Sequence, residues 1–339
     1  MQTPHDAADA RPHPDACFDA DWLALRAAAD QAARAPRLEA LAAAWLRARR
    51  QRNAASSLRL VDLGSGSGAN PRHLAARLPG PQQWTLIDHD ASLLQRARNH
   101  CADLRDAEGA ALRVDTLCLD LGALELGALA PGAPELPTLV ARTPDTPAPV
   151  SHAGADLMCA SALLDLMSAA WLARLADTCA QLGCALLITL SVDGSWRFLP
   201  RDPASAAADP DDAFVRDAFN AHQRRDKGLG AALGPAAVPA LAELLAAHGF
   251  HVETAASPWR LELADPAQAA LARALIDGWR DAATAQCSQA AARIAAWRAR
   301  RRAQCDGRGR GQLEVGHVDL FARPPTTALR PERPAAPGQ

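Results

Sequence analysis

Between residues 58 and 190 the chain alternates short apolar runs with helical stretches, and that alternation constrains the fold more than any other feature. The runs are Leu58–Leu63, Trp84–Ile87, Ala111–Leu119, Ala155–Cys159 and Cys184–Leu190, with helical patterns at about Asn70–Leu78, Ser92–Leu104 and Ser168–Leu182 between them. Strands apolar on both faces belong to a parallel sheet covered by helices on each side. A helix near Val238–His248 ends at Gly249, which suits a C-terminal cap. Phe250–Ala255 and Gly316–Ala322 bring the strand count to seven. The expected fold is α/β and doubly wound, preceded by a helix over Asp21 to about Arg50, where Trp22, Leu25, Leu38, Leu41, Trp45 and Leu46 recur at near-helical spacing.

Around that frame, residues 1–16 and 324–339 read as disordered ends and 17–54 as an N-terminal helical segment. Residues 55–323 form the main domain, with insertions at about 125–154, 191–237 and 266–304. The formal net charge of −2 creates no global field toward nucleic acid or anionic membrane. Eight cysteines show no C-x-x-C, so they read as reduced structural thiols. There is no signal-peptide pattern and no run of about 18 apolar residues, so a cytoplasmic protein outside the membrane is expected. The run Arg298–Arg302 (RARRR) reads as a solvated helix end, with a nucleic-acid patch as the alternative.

The first strand runs into Gly64-Ser65-Gly66-Ser67-Gly68 and then a helix beginning near Asn70. Glycines let backbone turn tightly and approach a ligand, and the following N–H groups suit a carboxylate or phosphate. Asp88 closes the second strand twenty residues on, where a ribose-binding acid belongs in a nucleotide-binding βαβ unit. Gly64, Gly66 and Ala69 also fit the looser dinucleotide fingerprint, so the loop alone admits either NAD or S-adenosylmethionine. Asp62 tilts the balance. A carboxylate at the strand end repels a pyrophosphate and attracts a sulfonium and an ammonium.

Val61–Gly68 (VDLGSGSG) resembles the first motif of the class I S-adenosylmethionine-dependent methyltransferases. Leu86-Ile87-Asp88-His89-Asp90 resembles the second, Cys118-Leu119-Asp120-Leu121 the third and Ala155–Leu164 the fourth. Gly316–Ala322 looks like the family's closing strand. The resemblance implies a seven-stranded, mostly parallel sheet with an antiparallel last strand, and S-adenosylmethionine as cofactor. It places Asp62, Gly64, Ser65, Gly66, Gly68, Asn70, Asp88, His89, Asp120 and Ala160 at the cofactor, with Asp88 on the ribose and Asp120 toward the adenine. Cys159-Ala160-Ser161-Ala162 departs from the Asn/Asp-Pro-Pro-aromatic tetrad of enzymes that methylate exocyclic amines of bases or glutamine amides.

Methyl transfer from a sulfonium is an in-line displacement, so alignment matters most, and a base is needed only for an acceptor that enters protonated. Phe219–Gly230 gathers His222, Arg224, Arg225, Asp226 and Lys227, the only lysine, beside a glycine. Arg224, Arg225 and Lys227, with Trp259, are the candidate acceptor-binding residues, suited to an anionic group. Asp165 and His222 are the candidate bases. His317 and Asp319 share a strand face without a third ligand, so they read as a polar pair and no metal is expected. The expected activity is methyl transfer to a small molecule, with no membrane partner. An RNA or protein methyltransferase is the first alternative; an NAD(P)-dependent oxidoreductase and a non-catalytic cofactor-binding module follow. The sequence carries no sign of the oligomeric state.

Overall fold

The computed structural model describes residues 20–53, 57–122, 154–200, 209–226, 230–306 and 311–325. The terminal segments 1–16 and 326–339, most of the 125–154 insertion and Lys227 lie outside the described residues. Five parallel strands form the sheet's main part: β1 (Leu58–Leu63), β2 (Gln82–Asp88), β3 (Arg113–Cys118), β4 (Leu157–Ser161) and the first half of β5 (Ala185–Pro200). Two more strands complete the path, β6 (His251–Ala256), which runs in the same direction as the first five, and β8 (Gly311–Arg323), which runs antiparallel to both its neighbours β5 and β6. The order is β3-β2-β1-β4-β5-β8-β6. The last strand therefore inserts antiparallel between β5 and β6, as the sequence resemblance implied.

Helices cover both faces. On one lie α2 (Pro36–Asn53), α3 (Ala69–Leu74) and α4 (Ala91–Cys101), around a core that includes Trp45, Leu46, Leu60, Trp84, Leu86, Cys159 and Leu187. On the other lie α5 (Ala169–Leu182) and α7 (Ala237–Ala247), packed on Met158, Leu186, Ile188 and Leu320. Local sequence sets the helix ends. The Asp90 carboxylate accepts the Ser92 N–H at 2.8 Å to start α4. Ser168 opens α5, and Gly183 closes it in a left-handed conformation.

Three elements differ from the sequence expectation. The predicted single N-terminal helix is two, α1 (Ala20–Ala33) and α2, because Pro36 disfavours helix at the residue before it while serving well as a first helical residue. The 191–237 segment begins as sheet: β5 continues to Pro200 and pairs with the start of β8, and the short β7 (Trp259–Glu262) joins on the other side of β8. This extension packs with α6 (Asp212–Gln223), α8 (Pro266–Gln286), α9 (Ala291–Asp306) and α1 around Trp196, Trp259, Trp279 and Trp297. The Trp196 and Trp279 rings stack at 4.4 Å.

The third difference is the arginine run, which is paired rather than simply solvated. Arg300 bonds Asp209 and Asp211, while Arg298 and Arg302 share Asp277. Arg301, almost fully buried, grips Asp212 and lies 4.2 Å over the Phe198 ring. Four aspartates brought in by α6, its leading turn and α8 thus neutralise the run, leaving little net charge for a phosphate backbone.

Candidate active site

The parallel strands end together at one edge of the sheet, where ligands of open α/β sheets bind. There β1 passes into a turn whose Gly64 and Gly68 have φ of +63° and +83°, a region closed to most side chains. A Cβ on Gly64 would stand 2.9 Å from Leu163 Cδ1, so a larger residue would be both strained and crowded. The Gly66 N–H donates to Asp88 Oδ2 at 2.8 Å, and the Asp90 N–H to Asp88 Oδ1 at 3.0 Å. Asp88 is thereby fixed beside the turn, and each oxygen keeps acceptor capacity for a further donor. His89 is exposed next to it, its Nδ1 3.4 Å from Asp88 Oδ1. Asp120 is exposed just beyond β3, accepting the Gly122 N–H at 2.7 Å. The Leu119 N–H bonds the Asp88 carbonyl, so these two strand ends adjoin.

Asp62 is buried, one residue before the end of β1. Its Oδ1 accepts from Asn70 Nδ2 at 2.6 Å; its Oδ2 has no partner among the described residues. Burial pushes its pKa up to about 7, with Asp88 adding to the rise and Asn70 and Arg34 working against it. The Ser65 and Thr189 hydroxyls, at the same strand ends, are likewise buried without a partner among the described residues. An orphaned carboxylate oxygen behind a glycine turn, with Asp88 alongside, suits a ligand that carries a cation and a hydroxylated sugar. These residues fit S-adenosylmethionine. A pyrophosphate at the glycine turn would meet the Asp62 carboxyl, so NAD fits poorly. Ala160, packed into the core of β4, can supply only a wall.

Beyond β4 the backbone is strained. Ala162 has φ of +52° and donates its N–H to the Thr189 carbonyl at 2.9 Å. Leu190, at an irregularity in the β5–β8 pairing, has φ of +58°. Its N–H donates to Asp319 Oδ1 at 2.7 Å, and Asp319 also accepts from Ser257 Oγ at 2.6 Å and from the Ala35 N–H at 2.9 Å. One buried carboxylate so joins the α1–α2 junction, the β5 irregularity and the β6–β7 corner. The expected His317–Asp319 pair is not formed among the described bonds: His317 donates Nδ1–H to the Val315 carbonyl at 3.0 Å. Burial, with Arg26 nearby, lowers His317 to about 4, so its imidazole is neutral at physiological pH.

The candidate acceptor residues are partly assembled. Asp165 lies in the 3-10 turn Leu164–Leu166 after β4. That segment meets the end of the 224–234 stretch: Ser168 bridges Ala232, and the Leu233 N–H bonds the Met167 carbonyl at 3.0 Å. His222 lies in the last turn of α6, half-buried, and Arg224 and Arg225 follow the helix, exposed. Arg225 Nη2 is engaged with the Ala285 carbonyl at 3.0 Å, in the last turn of α8. Trp259 is buried, its ring beneath Arg26 and 4.6 Å from that of His317. A group of His, Cys, Asp or Glu able to hold a metal is absent among the described residues. No helix among them is long and apolar enough to cross a membrane.

Sequence reasoning missed the contribution of α1. Leu23 approaches the glycine turn, with its Cδ1 3.4 Å from a Cβ placed on Gly66. Arg34, at the α1–α2 junction, reaches Asn70 and Ser161. In a chain whose basic residues are almost all arginine, a single arginine at a helix break gave little signal.

The strand order and the antiparallel last strand define the Rossmann-like architecture of class I methyltransferases. No protein-family model matches the chain, and no curated protein matches it. Solved structures similar to it include the cyclopropane synthase MmaA2 from Mycobacterium tuberculosis, at 12% identity over 84% of this chain and 83% of that one, with a TM-score of 0.39. A SAM-dependent methyltransferase from Thiobacillus denitrificans, in complex with S-adenosyl-L-homocysteine, is 16% identical over 90% of this chain and 99% of that one, with a TM-score of 0.35. The fold assignment rests on strand order and direction rather than on these likenesses.

Proposed function

We propose that the chain is an S-adenosylmethionine-dependent methyltransferase acting on a small molecule. The observation that carries this reading is the buried, half-partnered Asp62 carboxylate behind the glycine turn, with Asp88 fixed beside it. Asp88 would accept from the ribose hydroxyls. Asp62 would face the cationic amino-acid end, with Ser65 and the Gly64–Gly68 backbone around it. His89 and Asp120 would border the adenine, and Ala160 would form a wall. When bound, the cofactor supplies an electrophilic methyl group on a sulfonium.

The chain's own work is then alignment and exclusion of water, since displacement at a sulfonium needs little acid–base help. The strained backbone at Ala162 and Leu190 would shape β4 and β5 where they border the acceptor. Asp165 or His222 would take the proton of a hydroxyl or thiol acceptor. Arg224, Arg225 and Lys227 would draw in an anionic one, Arg225 with the guanidinium nitrogens not spent on Ala285. The pairing of Arg298 and Arg300–Arg302 with aspartates weighs against an RNA substrate.

Isothermal titration of the full chain with S-adenosylmethionine, S-adenosylhomocysteine and NAD tests the cofactor. Binding of the first two and not the third is expected; the reverse sinks the proposal. Labelled S-adenosylmethionine with a metabolite extract, read by mass spectrometry, then identifies the acceptor.

A further inference from the structure

The α1–α2 junction carries a side chain on which Asp62 depends. Arg34 is buried there, with Nη1 donating to Asn70 Oδ1 at 2.8 Å and Nη2 to Ser161 Oγ at 3.4 Å. This leaves the Asn70 amide a single good orientation, its oxygen toward the guanidinium and its Nδ2 toward Asp62 Oδ1 at 2.6 Å. Flipped, the amide would set its oxygen against the carboxylate and its donors against the arginine. The next residue, Ala35, donates its N–H to Asp319, so the junction is held at two points on the sheet edge.

We propose that Arg34 is a positioning residue of the cofactor site: through Asn70 it orients Asp62 and keeps it available, as a carboxylate, for the cationic end of S-adenosylmethionine. The inference rests on the methyltransferase reading above.

The surrounding charges give its sign. Asp62 faces Arg34 from the junction and Asp88 from β2; its other titratable neighbours, Cys101 of α4 and Cys159 of β4, are thiols pushed upward and stay neutral. Arg34 in turn faces Asp30, Glu39, Asp319 and Asp62, which work against the burial that lowers its own pKa without cancelling it. Arg34 and the Asn70 hydrogen bond both favour ionised Asp62, whereas burial and Asp88 oppose it. Removing the guanidinium removes one of these supports and loosens the other, so Asp62 then ionises only at higher pH. A cationic ligand needs the ionised form. Affinity should therefore fall most near neutrality and recover in alkali.

The test is titration of the full chain with S-adenosylmethionine and S-adenosylhomocysteine across pH 6–9, for wild type, Arg34→Met and Arg34→Lys, with thermal unfolding alongside. A rise of about one pH unit in the Asp62 midpoint takes its ionised fraction at pH 7 from about a half to about a tenth, so affinity should drop about fivefold. The loss should shrink by pH 9, and Arg34→Lys, which can still donate to Asn70, should recover part of it. If Arg34→Met does not fold, Asn70→Ser reads the same upward movement with Arg34 in place. An unchanged midpoint, or an equal loss at every pH, overturns the positioning role while wild-type binding leaves the cofactor reading standing. A wild-type chain that binds neither ligand overturns both.

Discussion

Replacing Asp62 by Asn keeps the side chain's shape and its acceptor for Asn70 but removes the titration. Asp62 has its pKa raised from 3.8 to about 7 by burial in the folded chain. A carboxyl raised on folding contributes its stability below the unfolded pKa and loses it as pH climbs through the folded one. Wild-type stability should therefore decline across pH 4–7 by about 1.4 kcal/mol for each pH unit crossed, an upper bound of about 4 kcal/mol from this group alone. Asp62→Asn lacks that decline. Urea unfolding of both proteins at pH 4.5, 6, 7 and 8, without ligand, should show the variant gaining on wild type by about 2–4 kcal/mol as pH rises, after allowance for relaxation around the site. The same variant should bind S-adenosylmethionine poorly, because the charge is gone. A difference between the two proteins that stays flat across this range would refute the view that Asp62 is a carboxyl held at a cost in stability for the sake of a ligand.

Asp319→Asn should cost about 2–3 kcal/mol in the same unfolding assay, because its amide can no longer accept from all three buried donors; a change under about 0.5 kcal/mol would show that the carboxylate does not organise the junction. Arg301→Met, which leaves Asp212 without its guanidinium partner under α9, should lower stability by about 3 kcal/mol, and added salt should not erase the difference as it would for an exposed pair; wild-type stability in low salt would count against the clasp. Once the acceptor is known, Arg224→Ala should raise its KM several-fold with cofactor affinity unchanged, and an unaltered KM and kcat would remove Arg224 from the acceptor site.

The parts of the fold legible in the sequence were those with one-sided rules. Short, mainly apolar runs such as Leu58–Leu63 and Cys184–Leu190, alternating with helical stretches, fit central strands. The glycine turn and Asp88 stood out because their spacing is tied to backbone geometry. Beyond Leu190 that clarity is lost: Val192-Asp193-Gly194-Ser195-Trp196 looks like loop chemistry, yet it continues β5 because Val192 pairs His317 and Trp196 pairs Val315 across the ribbon. Trp259–Glu262 is too short to announce itself. The role of Arg298–Arg302 depended on Asp209, Asp211 and Asp212, about ninety residues earlier, and that of Arg34 on Asn70, so neither could be read from local pattern.

The bond between Ala35 and Asp319 joins residues 284 apart. Closing a loop of that length costs about 5 kcal/mol of chain entropy before any contact is returned. During synthesis, α1 and α2 emerge long before β8, so the helices must wait for almost the entire domain before their junction can lock. The strand made late completes the seat of the segment made early, so the α1–α2 junction is among the last parts of the domain to lock.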